Sequence, residues 1–595
     1  MDKCGIIKVL LSIGFVSLAI SGILLKISPI SGYEIDIYAS TPVFVWIAIS
    51  YCITFGLCLL FYSVWEKNTK ASRFWLLGLI MIILARLEFL YIPFLRGYYT
   101  LSGDHMNHMG LTIDILKNHI IGDNSYPITH ILCSEISLLT DMQVNIFFNY
   151  TTALFSIFYI ISIYLILKTT SIGKKGQILG FVAAGGILFD EYYLYVMPNG
   201  WSCLFLPFVL YIAMRSMRST RYSALLVIFV ILYPFFHPLS SLILFGILVL
   251  LYSIYSALNK SHMLSERIDY AHLKISAVPI VLLGMSLVEQ VLSYKKFWPN
   301  LKYIFDSLIT GHSNNFKLAE MSDNLGRLNF NILDFLELLV KWYGHEIIYL
   351  VLLFLASCVF ILQYKRYRTK IDANTMIFLL IPYLLGLIFA AYLLNLVPGL
   401  GNIGSSRILS FVVVFSPIPV SILLDRCVLD RNQILSIICI LLILTASLLS
   451  VFSLYPSPYR MRPNSGVTSM DIYGMDWAIS YRSDEYQFVT IMSPISMFAD
   501  AIFGSSSRKD DFGINENNQN DPQFIDHFGY EHNTSIGDVF DRPVLALITQ
   551  KDRIIYETVY KIVSRFKKDD FKRLNLDISV NKLYHNGESI GFSIT

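Results

Sequence analysis

Along the first three quarters of the chain, hydrophobic residues come in blocks of about twenty, the length an α-helix needs to cross the hydrocarbon core of a bilayer. The pattern predicts about thirteen spans, near 6–27, 41–64, 74–94, 145–167, 178–195, 201–214, 224–236, 239–258, 275–294, 346–364, 375–396, 408–424 and 434–454. The first block follows Lys3 and ends without a small-residue cleavage site, so it reads as a retained helix rather than a removed leader.

The polar joints between the blocks set an orientation. Every second joint is basic: Lys67, Lys70 and Arg73; Lys168, Lys174 and Lys175; Arg215, Arg218 and Arg221; Lys365, Arg366, Arg368 and Lys370. The joints between them, such as 28–40 with Glu34 and Asp36, lack that excess. Cytoplasmic loops retain Lys and Arg, so the N-terminus is expected in the cytoplasm. After an odd number of spans the C-terminus is expected outside.

Beyond residue 454 the pattern changes. The stretch 455–595 is roughly a quarter charged, as in ordinary soluble domains, and has no apolar run long enough to span. It is expected to form a small extracytoplasmic α/β domain. Its strands are expected at 488–491 and 544–548, with an amphipathic helix at 554–571 and a hairpin at 582–594 turning at Asn586-Gly587. The polar segment 505–520 is expected to be a loop. The predicted architecture is thus a polytopic α-helical membrane domain, 1–454, followed by an extracytoplasmic domain, 455–595.

Composition narrows the class. Of 595 residues, 55% are hydrophobic and only 15% charged, which argues against a conventional soluble enzyme. The net charge of +3 is too balanced for a chain organised around nucleic acid. Eight cysteines lie mostly in apolar runs without paired short spacings, and read as small hydrophobes. Neither an internal repeat nor an inverted pair of interrupted helices is visible.

Two expected outside loops are long, 95–144 and 295–345, and loops beyond about 15 residues are usually functional or disordered. In the first, Asp104 precedes Met106, Met109, Ile113, Leu116 and Ile120 at helical spacing. That spacing predicts an amphipathic helix on the outer membrane surface, with Asp104 and His108 together on its other face. A carboxylate at that depth suits deprotonation of a hydroxyl, or the holding of a divalent ion, beside a lipid-linked donor. The competing reading is that Asp104 is an N-cap. D-H-x-x-H is no established metal spacing, and an interfacial polar role suffices for His105 and His108.

Other candidates follow the same logic. The pair Asp190-Glu191 is a second outside acid, although Tyr192, Tyr193, Tyr195 and Trp201 equally fit an aromatic belt at a span boundary. His237 precedes Pro238 at a turn and is suited to donate to a phosphate. Arg407 follows Gly399, Gly401 and Gly404, and an Arg fork suits a phosphate diester; its other reading is a snorkelling side chain. Arg86, Glu88 and Glu289 within spans are expected to face the bundle interior. His345-Glu346 is expected at the mouth of the tenth span. Sequons begin at Asn533 and, within a span, at Asn149.

The pattern G-D-H-x-x-H-x-G at Asp104, followed by Ser125-Tyr126-Pro127-Ile128-Thr129-His130, resembles the first large outside loop of GT-C-type membrane glycosyltransferases, particularly archaeal members. The His237-Pro238 turn, the Gly-rich approach to Arg407, and the segments MDIYGMDWAISYR and NKLYHNGESIGF add to it. The thirteen-span layout with an outside C-terminal domain is similar to oligosaccharyltransferase catalytic subunits. Their Trp-Trp-Asp-x-Gly signature is absent, with only Asp471-Ile472-Tyr473-Gly474 and Asp476-Trp477 reminiscent of it, and no D-x-D surrounds Asp104.

The resemblance implies a multi-pass plasma-membrane enzyme using a polyprenyl-phosphate-linked sugar, such as a dolichyl-phosphate donor. The acceptor is a glycan, lipid or protein. Carried over by position, Asp104 stands at the reaction centre, Arg407 and His237 at the lipid phosphate, and His108, Tyr126, Asp190 and Glu191 in support. The expected mechanism is an inverting displacement with Asp104 as base. No nucleotide is required on the outer side, and the cofactor is left open between none and a divalent Mg or Mn ion on Asp104 and His108. A lipid-linked glycan polymerase or ligase, or a flippase or exporter, are the competing functions.

Overall fold

The structure, a computed structural model, describes residues 3–66, 74–122, 124–188, 191–260, 276–293, 299, 302, 332–362, 373–393, 405–429, 432–483, 485–492, 494–514, 523–532, 534–561 and 565–595. It is mostly helical, because long apolar segments in lipid must satisfy every backbone group internally. The helices are α1 (Lys3–Ile27), α2 (Val43–Trp65), α3 (Trp75–Leu95), α4 (Asp104–Asn118), α5 (Pro127–Thr140), α6 (Val144–Leu167), α7 (Lys174–Gly185) and α8 (Pro198–Ser216). They continue as α9 (Thr220–Phe236), α10 (Pro238–Lys260), α11 (Val278–Ser293), α12 (Ile332–Leu362), α13 (Ala373–Leu393), α14 (Ser405–Phe415), α15 (Pro417–Leu429) and α16 (Gln433–Ser453). Among the described residues, nine helical segments are long and apolar enough to cross a membrane.

One of those segments, Ser406–Leu429, comprises α14 and α15, and its stretch 408–425 is buried throughout. Its neighbours approach closely through small residues: Gly176 of α7 lies against Asp425, and Gly180 faces Ser421. Tyr159 on α6 donates to the Val414 carbonyl at 2.8 Å, tying the central segment to the first half of the bundle.

The predicted span at 178–195 is a correction. α7 ends at Gly185, and buried Arg86 donates to the carbonyls of Gly185 at 3.1 Å and Ile187 at 2.9 Å. A guanidinium thus satisfies the carbonyls that a continuing helix would have bonded. The chain then makes a short turn, Glu191–Tyr193. Tyr192, Tyr193, Tyr195 and Trp201 are buried in the protein, not set in an interfacial belt.

The other intramembrane charges divide. Arg86 faces inward, Glu88 accepts a hydrogen bond from Ser21, and Glu289 is exposed, against the expectation of an interior position. His345 and Glu346 lie inside α12, which begins at Ile332, and both are buried.

The C-terminal region holds a four-stranded sheet in the order β3-β4-β6-β5, formed by β3 (Gln487–Thr490), β4 (Val544–Ile548), β5 (Val580–His585) and β6 (Ile590–Ile594). β3 and β4 are parallel; the other pairs are antiparallel, with an irregularity in β5 between Lys582 and Tyr584. Around it lie α17 (Ser469–Tyr481), α18 (Ile495–Phe503), α19 (Ser505–Asp510), α20 (Gln550–Thr558) and α21 (Lys568–Leu574). Capping boxes start α17 at Thr468 and Asp471 and α20 at Thr549 and Asp552.

Two expectations for this region fail. The segment from 505 opens as a helix, and the predicted helix at 554–571 breaks into α20 and α21.

Much of this region is continuous with the membrane bundle. Ile472, Met475, Phe488, Ile495 and Phe498 belong to the same apolar cluster as the spans, while Val489, Val544, Phe528, Phe566 and Phe592 form a second. A small antiparallel ladder joins β1 (Thr100–Leu101) to β2 (Gly466–Val467). Above it Tyr33 donates to the Asn464 carbonyl at 2.7 Å. The joints at 28–42 and 96–103 therefore lie at the same end of the bundle as the C-terminal region.

Candidate functional site

The position of Asp104 is set by backbone, not by its own side chain. The β1–β2 ladder and a bond from Ser102 N–H to the Ser465 carbonyl at 2.8 Å hold the chain up to residue 102. Gly103 then turns it with φ +92°, a conformation that L side chains rarely adopt, and α4 begins. Gly103 occupies the N-cap position, so the capping reading of Asp104 is not met. Asp104 is exposed in the first turn of the helix, where a carboxylate suits the helix dipole.

The apolar face of α4 packs against protein along its first turns, while Ile120, past the helix end, is exposed. Met106 and Met109 are buried by protein, and Gly110 abuts Asp500 and Ser505 of the C-terminal region. Asp114 accepts from the Ser506 N–H at 2.9 Å, and Lys117 donates to the Phe503 carbonyl at 2.7 Å. The helix carrying Asp104 is thus clamped between the bundle and α18–α19.

Behind Asp104 lies a row of imidazoles. His105 is fully buried, and its Nδ1 accepts from the Val196 N–H at 3.0 Å, which ties α4 to the segment following the Glu191–Tyr193 turn. His108, half-buried, meets His130 of α5 with 3.0 Å between Nδ1 and Nε2. His130 in turn faces the Asn124 amide at 2.8 Å. Burial pushes the pKa of His105 down to about 3, with His108 adding to the effect. Burial takes His108 down to about 4, with the Asp104 carboxylate working against it. For His130 the direction is the same, well below the ordinary value, through burial and then His108, with a contact to the Tyr126 backbone working against them. All three are therefore neutral at pH 7.

The last pair comes from the bundle. His237 ends α9 and packs against Tyr126 in a tilted pair, with centroids 5.2 Å apart at 30°. Its Nδ1 is buried and has no hydrogen-bond partner among the described residues. Burial, then Arg407 and His108, push its pKa down to about 3. Arg407 is exposed near the start of α14, at the head of the enclosed central segment. Gln290 of α11 donates to the Ser125 carbonyl, fixing the loop that presents Tyr126.

The structure therefore brings Asp104, His108, Tyr126, His237 and Arg407 to one end of the bundle. Glu191 is in the turn linked to His105 through Val196. Asp190 lies outside the described residues, as do most of the loop at 295–345, Gly399, Gly401 and Gly404, and Asn533. Asn149 is buried on α6 and donates to the Tyr99 carbonyl at 2.9 Å. Sequence reasoning missed the roles of Asn124 and His130; the Tyr126-Pro127 helix start was the available signal.

No family model matches this chain, and no curated protein matches it. Among solved structures it is similar to ArnT from Cupriavidus metallidurans in the apo state. The TM-score is 0.41 and the identity 8%, over 88% of this chain and 98% of that one.

As a metal centre the site is poorly made. Nδ1 of His108 is already engaged by His130, which leaves Asp104 with little support. Among the described residues no group of three or more His, Cys, Asp or Glu is placed to hold an ion. What the arrangement offers is an exposed carboxylate, an exposed guanidinium and neutral imidazoles in electrostatic contact with both. That set suits proton removal at one point and phosphate recognition at another.

Proposed function

We propose that this chain is a GT-C-type membrane glycosyltransferase, moving a sugar from a polyprenyl-phosphate-linked donor to a hydroxyl of a glycan, lipid or protein at the outer face. One observation carries the reading. Asp104 and Arg407, far apart in sequence, are exposed at the same end of the bundle, and His108 and His237 feel their charges. The sequence resemblance at Asp104 and Tyr126–His130 supports it independently.

In this mechanism the Asp104 carboxylate takes the proton from the acceptor hydroxyl as its oxygen bonds to the anomeric carbon. The bond from that carbon to the phosphate oxygen breaks on the opposite side, with inversion. The departing phosphate gains negative charge, which Arg407 meets by forked donation, with the His237 ring beside it. Polyprenyl phosphate stays in the membrane. No step is routed through a Mg or Mn ion, since the residues do not fit one.

The transport alternative loses support from the interior charges. Arg86 is committed to two carbonyls and the Ser156 hydroxyl, Glu88 is bonded to Ser21, and Glu289 is exposed. They form no connected polar path among the described residues.

The test is steady-state transfer from a short-chain polyprenyl-phosphate sugar by purified protein. Arg407→Ala is expected to raise the KM for donor by about tenfold or more, as loss of a charged phosphate contact costs about 1.5–3 kcal/mol. An unchanged donor KM in that variant removes Arg407 from the phosphate and, with it, this reading.

A further inference from the structure

A chain of hydrogen bonds behind the candidate base has a determinable direction. The Tyr126 backbone N–H donates to Asn124 Oδ1 at 3.0 Å, which identifies that atom as the amide oxygen. Asn124 Nδ2 therefore faces His130 Nδ1 at 2.8 Å and donates to it. A neutral His130 that accepts at Nδ1 carries its proton on Nε2. That N–H points at His108 Nδ1, 3.0 Å away, which must accept. A neutral His108 accepting at Nδ1 carries its own proton on Nε2.

We propose that Asn124 and His130 are positioning residues that hold His108 as a neutral Nε2–H donor, directed to an oxygen of the substrate bound beside Asp104. The assignment rests on the transferase reading for its substrate, but the tautomer chain itself does not. His108 then has no free lone pair with which to act as base, its Nδ1 being engaged by His130, and proton removal falls to Asp104 alone. The same chain explains why His108 makes a poor metal ligand, since one ring nitrogen is engaged and the other protonated. The low pKa values of both imidazoles are consistent with neutrality, and the burial of His130 keeps water from supplying a competing donor.

An Asp at position 124 accepts where the amide donates. In Asn124→Asp the preferred chain runs the other way: His130 donates from Nδ1 to the carboxylate, and His108 donates from Nδ1 to His130, leaving His108 Nε2 bare.

The experiment is ¹⁵N NMR of the full-length protein in nanodiscs, labelled at histidine side chains and read at pH 7. His108→Gln and His130→Gln assign the signals. In wild type, both rings are expected as neutral Nε2–H tautomers. In Asn124→Asp both are expected to switch to Nδ1–H, with transfer falling by tenfold or more while donor KM changes less than threefold. His108→Gln, whose amide N–H reaches where Nε2–H does, is expected to retain most of the activity that His108→Ala loses.

An Nδ1–H or doubly protonated His108 in wild type overturns the proposal without reference to activity. So does an Asn124→Asp protein in which neither ring switches. If the tautomers are as stated but no version transfers sugar, the chain stands and the transferase reading falls. If the tautomers switch and transfer is unaffected, the substrate role of His108 is overturned.

Discussion

The guanidinium of Arg96 holds the carboxylate of Glu34 through two parallel hydrogen bonds, Nη1 to Oε2 at 2.6 Å and Nη2 to Oε1 at 2.7 Å. Arg96 is only 3% exposed and also donates to the Ser28 carbonyl at 3.1 Å. It therefore locks the loop at 28–40 to the end of α3, at the base of the β1–β2 ladder that leads to Asp104.

Breaking that pair leaves the partly buried Glu34 carboxylate with only the Ser40 hydroxyl among the described residues. Arg96→Ala is expected to lower stability by about 1–3 kcal/mol, the cost of leaving a charged group short of its hydrogen bonds. Arg96→Lys keeps the charge but not the fork, and is expected to fall between that variant and wild type. Denaturation of the purified protein measures both; equal stability of all three proteins contradicts the lock.

Gly110 gives a second prediction. A Cβ there would sit 2.8 Å from the Asp500 backbone carbonyl and 2.9 Å from Ser505 Oγ. In an exposed helix Gly→Ala gains up to about 1 kcal/mol, but overpacking against backbone costs about 1–3 kcal/mol. The clash wins, so Gly110→Ala is expected to be destabilised and less active. Among the described residues, no atom beyond its own stretch of helix lies within 4 Å of a Cβ built at Gly246, and Gly246→Ala is expected to be neutral or mildly stabilised. Thermal midpoints of the two variants decide the point.

The buried histidines set a pH dependence. A His with its folded pKa lowered binds fewer protons folded than unfolded, so its contribution to stability is complete above about 6.5 and falls as pH drops toward the folded value. His105, at about 3, and His108, at about 4, share that sign. Asp552, pushed up to about 6 by burial, slopes the other way. The difference between wild type and His105→Asn isolates the histidine part: the stability gap between them is expected to narrow between pH 6.5 and 4. A constant gap contradicts it.

The helical layout was readable because twenty-residue apolar runs leave the chain few alternatives in lipid. All thirteen predicted segments contain helix among their described residues. What local pattern did not reveal was where long-range partners intervene. α7 stops because Arg86, a hundred residues earlier, takes its carbonyls. The apolar stripe of α4 reads equally well as a lipid-facing or a protein-facing surface, and only the packing of α18 and α19 distinguishes them.

The candidate site shows the same division. Asp104, His237 and Arg407 announced themselves by residue type at expected loop ends. His130 was visible only as the last residue of the Ser125–His130 motif, which gives it no role of its own. Its meaning depends on Asn124 and on a backbone N–H at Tyr126 that orients the amide. Tautomers are set by such three-dimensional neighbours, which no spacing encodes.

The most direct test of the account is single-turnover transfer of labelled sugar from a short-chain polyprenyl-phosphate donor, comparing wild type with Asp104→Asn. The account predicts that Asp104→Asn still binds donor but transfers at least a hundredfold more slowly, within the range expected for loss of a general base. Transfer at the wild-type rate by Asp104→Asn would contradict it.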